Sequence, residues 1–108
     1  MTGVDAIDRE RLTGLDKVMG QAGYEAFIDS AETAVADLLQ RLEHADQSQN
    51  TALFRDAVHG LSGLLANIGM DGLAASARLL PRPPDPAWDQ RRELARAIAD
   101  AMTAARAI

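Results

Sequence analysis

The sequence predicts an all-α protein, an antiparallel up-and-down four-helix bundle with a short additional N-terminal helix. Three observations carry that reading. Apolar residues recur at spacings of three and four along most of the chain, no stretch alternates apolar and polar residues as a half-buried strand would, and the connections between periodic segments are short. The 108 residues make one domain, 1–108, long enough for a single core without staples. An aromatic content of only 4% suits close packing of Leu and Ala.

The elements follow in order. Ile7 to Met19 reads as a short first helix presenting Leu12, Leu15, Val18 and Met19, with Gly20 and Gly23 marking its end. A longer helix from about Gln21 to Ala45 carries Tyr24, Phe27, Ile28, Ala31, Ala34, Val35, Leu38, Leu39 and Leu42 as a core-facing stripe. Asp46 to Asn50 is a polar turn, in which Ser48 or Asn50 can cap the next helix. That helix places Leu53, Phe54, Ala57, Val58, Leu61, Leu64, Leu65 and Ile68 on one face and stops at Gly69. Asp71 can cap a further helix holding Leu73, Ala74, Ala77, Leu79 and Leu80. Pro81-Arg82-Pro83-Pro84-Asp85-Pro86 cannot be helical and reads as a stiff spacer of ordinary length. Asp85 as cap and Pro86 at the first helical position then begin a last helix through Leu94, Ile98, Ala101, Met102 and Ala105, with Trp88 in its first turn as a buried packing residue.

Composition removes several classes of function. The chain has no cysteine, so disulfides and thiolate metal sites are excluded, and a reducing cytoplasm is the simplest compartment. No apolar run reaches the roughly 20 residues of a membrane span, and Met1-Thr2-Gly3-Val4-Asp5 lacks the regions of a signal peptide. A net charge of −5, with Arg91, Arg92 and Arg96 interspersed among acids, argues against nucleic-acid binding.

The most informative residue is His59. Advancing about 100° per residue places it roughly 160° from Leu61, on the solvent side of its helix, with Arg55, Ser62, Gly63 and Ala66 as surface neighbours. Gly60 and Gly63 flank it, although a glycine in a helix interior costs about 1 kcal/mol relative to alanine. The pattern reads as access: a partner must come close to the imidazole, and side chains at Gly60, Gly63 and Ala66 would block it. Those three residues are the expected docking surface. His44 has no ligand-like companion and reads as a surface residue, and Asn67 as a residue that stabilises the helix end.

The run His59-Gly60-Leu61-Ser62-Gly63, followed by Gly69 and Leu73, resembles the signature of the histidine phosphotransfer (HPt) domains of bacterial phosphorelays, which is His, any residue, Leu, Lys, Gly, then Gly six residues on. The match rests on His59, Leu61, Gly63 and Gly69. The chain departs from it at Ser62, where the family usually has lysine. The resemblance implies the helical-bundle fold, with His59 as phospho-acceptor exchanging a phosphoryl group with the aspartate of a response-regulator receiver domain. It also implies a sensor or hybrid histidine kinase as a second partner. The residues show no phosphate-cradling loop and no carboxylate cluster for Mg²⁺. The chain therefore has no catalytic site of its own and no cofactor, and Mg²⁺ is expected on the receiver.

Around His59, the family's lysine is taken to steady the phosphoryl oxygens, and Ser62 offers a neutral hydroxyl there. Arg55, one turn earlier, either substitutes in part, helped by Ser62, or only solvates or pairs with Asp56 or glutamate neighbours. Other classes of function stay open. A pseudo-HPt module would bind receivers without being phosphorylated, and the missing lysine is the feature in its favour. A Ser62–His59 catalytic pair is geometrically possible but has no oxyanion hole or cleft to work with. The dimerisation hairpin of a histidine kinase also presents an exposed histidine, but follows it with residues unlike Gly60-Leu61-Ser62. Free-standing protein and domain of a larger kinase are equally compatible with the sequence.

Overall fold

The computed structural model describes residues 7–81 and 88–108. Within them every regular element is helical: α1 (Arg9–Ser48), α2 (Thr51–Asn67), α3 (Asp71–Arg78) and α4 (Trp88–Arg106). The predicted first and second helices are the two arms of α1, which breaks at Gly20 with φ 77° and ψ 166°, outside the helical region and on the glycine-favoured side. The expected helix boundary is thus a kink. Asp8 starts the element, its Oδ1 accepting from Arg11 N at 3.1 Å, so the helix begins two residues later than the pattern suggests.

The end of α1 and the start of α2 share one compact junction. Gln49 takes a left-handed conformation (φ 53°), which lets Asn50 N bond to Ala45 O at 2.9 Å and Gln49 N to Asp46 O at 3.2 Å. The Asn50 side chain then accepts from Leu53 N at 3.0 Å, so Asn50 is the cap and Ser48 is the last residue of α1. Gly69 (φ 78°) ends α2 in the same manner, with Met70 N bonding to Leu65 O at 2.8 Å. Gly69 also receives the start of α1: its carbonyl accepts from Asp8 N at 2.8 Å, and a Cβ there would lie 3.2 Å from Asp8 Cβ.

One predicted cap comes out differently. Met70 precedes α3 with no side-chain cap bond, and Asp71 is its first residue, where its charge faces the positive end of the helix dipole. The proposed cap Asp85, Pro86 and the rest of the spacer from Arg82 onward lie outside the described residues. The helix through Leu73 is also shorter than expected. It stops at Arg78, which leaves Leu79 81% exposed while Leu80 folds back against the core.

The core draws on every element: Leu12, Ile28 and Leu42 from α1, Leu61 and Leu65 from α2, Leu73 from α3 and Ile98 from α4 are all buried. Helix α1 packs against α2 and α4, and α3 packs against the same two. The stripe of the longer helix behaves as read, but three apolar expectations fail. Val18 (86% exposed) and Met19 lie at the kink, where the arm turns away from the core, and Trp88 is 45% exposed because it starts α4.

Two polar ties cross the core. Tyr24 donates its hydroxyl to Ala105 O at 2.7 Å, joining α1 to the last turn of α4, and burial followed by the nearby Asp16 charge raises its pKa. Arg91 pairs with Asp46 at 2.8 Å, donates to Pro81 O at 3.2 Å and stacks 4.9 Å over the Phe54 ring. The Asp46 side chain is fully buried, and burial raises its carboxyl above the ordinary range by more than Arg91 lowers it.

Candidate functional site

Helix α2 carries one cationic side chain, Arg55, one carboxylate, Asp56, and one imidazole, His59, and all three are exposed. They share that face with Gly63 and Asn67. The helical repeat explains the grouping, since residues four apart stand one above the other. Arg55, His59 and Gly63 thus form a single row on the open side of the helix. A Cβ built at Gly63 meets nothing within 4 Å, so the space next to the imidazole is clear.

One side of this row is closed at Ser62, and Gly60 and Ala66 are half-buried, which corrects the sequence reading at three positions, while Asp56 and Asn67 keep the other side exposed. Ser62, expected beside His59 in solvent, is 4% exposed, and its hydroxyl donates back to His59 O at 3.1 Å. The reason is rotational: three residues on, a side chain lies about 60° off the His59 direction, far enough to leave the open face of a helix packed on two others. Gly60 is half-buried and faces α1, where a Cβ would approach Leu38 Cδ2 to 3.0 Å. Its missing side chain is accounted for by that helix contact. Ala66 is half-buried because the first arm of α1 passes over this end of α2, with Arg11 Nη1 donating to Ala66 O at 3.2 Å.

Arg11 and Leu38 were invisible to the sequence reading as neighbours of the site. Arg11 lies 55 residues from Ala66 in the chain, and no local pattern signals a contact at that separation. His44 is exposed near the end of α1, as expected. Arg55 makes no hydrogen bond and no ion pair among the described residues, so of the alternatives the sequence leaves open, pairing with Asp56 or a glutamate is not formed.

The arrangement offers a single exposed imidazole on a rigid helix with one free guanidinium a turn away. No group of three or more His, Cys, Asp or Glu able to hold a metal occurs among the described residues, and no described helix is long and apolar enough to cross a membrane. A neutral imidazole nitrogen is a nucleophile near neutral pH, and on this face Arg55 and Asp56 are the charged groups within a helical turn of it.

Comparison with known families gives one finding: the family described as Hpt domain matches residues 23–108, from the second arm of α1 to the end of α4. No curated protein and no solved structure matches the chain.

Proposed function

The chain belongs to the Hpt domain family of two-component phosphorelays, and from that premise we propose that His59 is the residue that takes up the phosphoryl group and exchanges it with the aspartate of a response-regulator receiver domain. The observation that carries the proposal is the exposure of His59 beside the clear space at Gly63, on the open face of α2 that Arg55 and Asp56 share. His44, the other histidine of the chain, lies outside the run His59-Gly60-Leu61-Ser62-Gly63.

In the reaction, the lone pair of the unprotonated ring nitrogen of His59 forms the N–P bond as the aspartyl P–O bond breaks. The aspartate carboxylate leaves with the bonding electrons, and the proton on the other ring nitrogen passes to water. The reverse steps return the phosphoryl group. The receiver supplies the aspartate and the Mg²⁺ that shields the phosphoryl charge, while this chain supplies the nucleophile, its orientation and an unobstructed approach. A sensor or hybrid kinase is the second partner, and the cytoplasm the compartment. The antiparallel bundle that would hold His59 rigid is supported by the contacts of Asp8 with Gly69 and of Leu38 with Gly60, in which the later position along α1 meets the earlier position along α2.

The test is His59→Gln, followed by acid-labile label from acetyl-phosphate-charged receivers of the same organism. Labelling should vanish while the helical circular dichroism stays. Label persisting in His59→Gln would sink the assignment. A wild-type domain that binds receivers but never takes label would establish the pseudo-HPt reading, for which Ser62 in place of lysine is the motive.

A further inference from the structure

A phosphoryl group on His59 brings roughly two negative charges to the exposed face of α2. Only one cation of that helix can meet them. Arg55 is the sole Lys or Arg between Thr51 and Asn67, and the spacing of four residues puts its Cβ about 5–6 Å from that of His59. A guanidinium spans that distance and presents two parallel N–H donors, the geometry that suits phosphoryl oxygens.

Three other candidate donors are already engaged. Ser62 points inward and its hydroxyl is spent on His59 O. From α1, Arg11 donates to Ala66 O and Arg41 pairs with Asp37 at 3.0 Å. Asp56, about 100° around the helix from Arg55, adds a negative charge beside the histidine and increases the need for a cation. Arg55 itself is exposed and has no partner among the described residues.

We propose that Arg55 is the cation of this chain that contacts the phosphoryl group on His59, stabilising its doubly ionised form and shifting the exchange towards the phosphorylated histidine. The proposal rests on His59 being the acceptor. Contact with a guanidinium favours loss of the last phosphoryl proton, so phospho-His59 should titrate at lower pH with Arg55 than without it.

Potassium phosphoramidate, which phosphorylates histidine directly, allows the test without a partner. Wild type, Arg55→Ala, Arg55→Lys and His59→Gln are treated with it and followed by phosphorus NMR across a pH titration. The expected result is that Arg55→Ala titrates about half a pH unit above wild type, with Arg55→Lys between them, while His59→Gln lacks the signal of phospho-His59 and keeps at most that of the exposed His44. Unchanged circular dichroism in Arg55→Ala separates this from a loss of structure. Equal titration of wild type and Arg55→Ala overturns the role of Arg55 and leaves His59 standing. Absence of any His59-dependent signal overturns both.

Discussion

Replacing Gly63 by alanine should stabilise the protein, and replacing Gly60 by alanine should not, although both glycines lie inside the same helix. Alanine in a helix interior is favoured over glycine by about 1 kcal/mol, and both variants receive that gain. At Gly63 nothing lies within 4 Å of the new methyl, so the whole gain should appear, as a rise in Tm of about 4 °C or more. At Gly60 the methyl would land 3.0 Å from Leu38 Cδ2, well inside the roughly 3.5–4.0 Å at which carbon atoms attract. The tip of Leu38 must then move within a packed interface, at a cost of about 1–3 kcal/mol, which cancels or exceeds the gain. The two variants should differ by at least about 1 kcal/mol in urea unfolding followed by circular dichroism, with unchanged m-values. Equal shifts of the midpoint would refute the assignment of Gly60 to the α1 contact. Gly63→Gln then tests function on the same helix: it should keep most of the stability gain and slow phosphoryl exchange with a receiver, because its side chain enters the space beside His59.

Four further outcomes are expected. Tyr24→Phe leaves Ala105 O without its buried donor and should cost about 1–2 kcal/mol in urea unfolding. The raised pKa of Tyr24 means that the folded state keeps its phenolic proton longer than the unfolded chain. Wild type should therefore lose stability relative to Tyr24→Phe as pH rises above the ordinary tyrosine value near 10. Asp46→Ala should cost about 3 kcal/mol by leaving Arg91 charged and buried, and the double change Asp46→Leu with Arg91→Met should recover most of it. For the same pair, the raised Asp46 carboxyl is most favourable to folding below the ordinary carboxylate range. Wild type should lose ground against Asp46→Asn as pH rises through and above that range, and a slope of the opposite sign would show that Arg91 outweighs burial.

The helices and the reactive face were legible in the sequence to different depths. Period and caps suffice for the elements because they are local: Asn50, Gly20 and Gly69 each do in the structure what a turn-forming residue at that place should do. The exposure of Arg55, His59 and Gly63 follows from the same periodicity. What the wheel could not supply is where other helices touch it. Gly60 and Ser62 lie on flanks whose burial depends on neighbouring helices, Leu38 on α1 among them, and Val18 and Trp88 lie at element ends where an apolar residue no longer has a core to face. A single-helix wheel treats all directions away from the core as equivalent, and the bundle does not.

That difference narrows the chemistry available to a partner. With Ser62 turned inward, Gly60 against Leu38 and Ala66 beside the first arm of α1, the open approach to His59 follows the row from Arg55 through His59 to Gly63, with Asp56 and Asn67 exposed at its side. Along it lie a cation, a nucleophile and open space, one helical turn apart. A receiver docking along this row would set its aspartyl phosphate over the imidazole with the guanidinium on one side and its own surface filling the space above Gly63. Ser62→Lys brings the family's residue to a buried position, so its stem must run outward between packed helices before the ammonium reaches solvent. The substitution should therefore cost stability, on the order of 1 kcal/mol or more, while raising the phosphorylated fraction only if the stem finds that path. Ser62→Ala removes only a hydroxyl bonded to its own helix and should leave both stability and exchange nearly unchanged. A marked loss of exchange in Ser62→Ala would show that the hydroxyl serves the phosphoryl group after all, and would move the recognition of phosphate from the Arg55 side of His59 to the other.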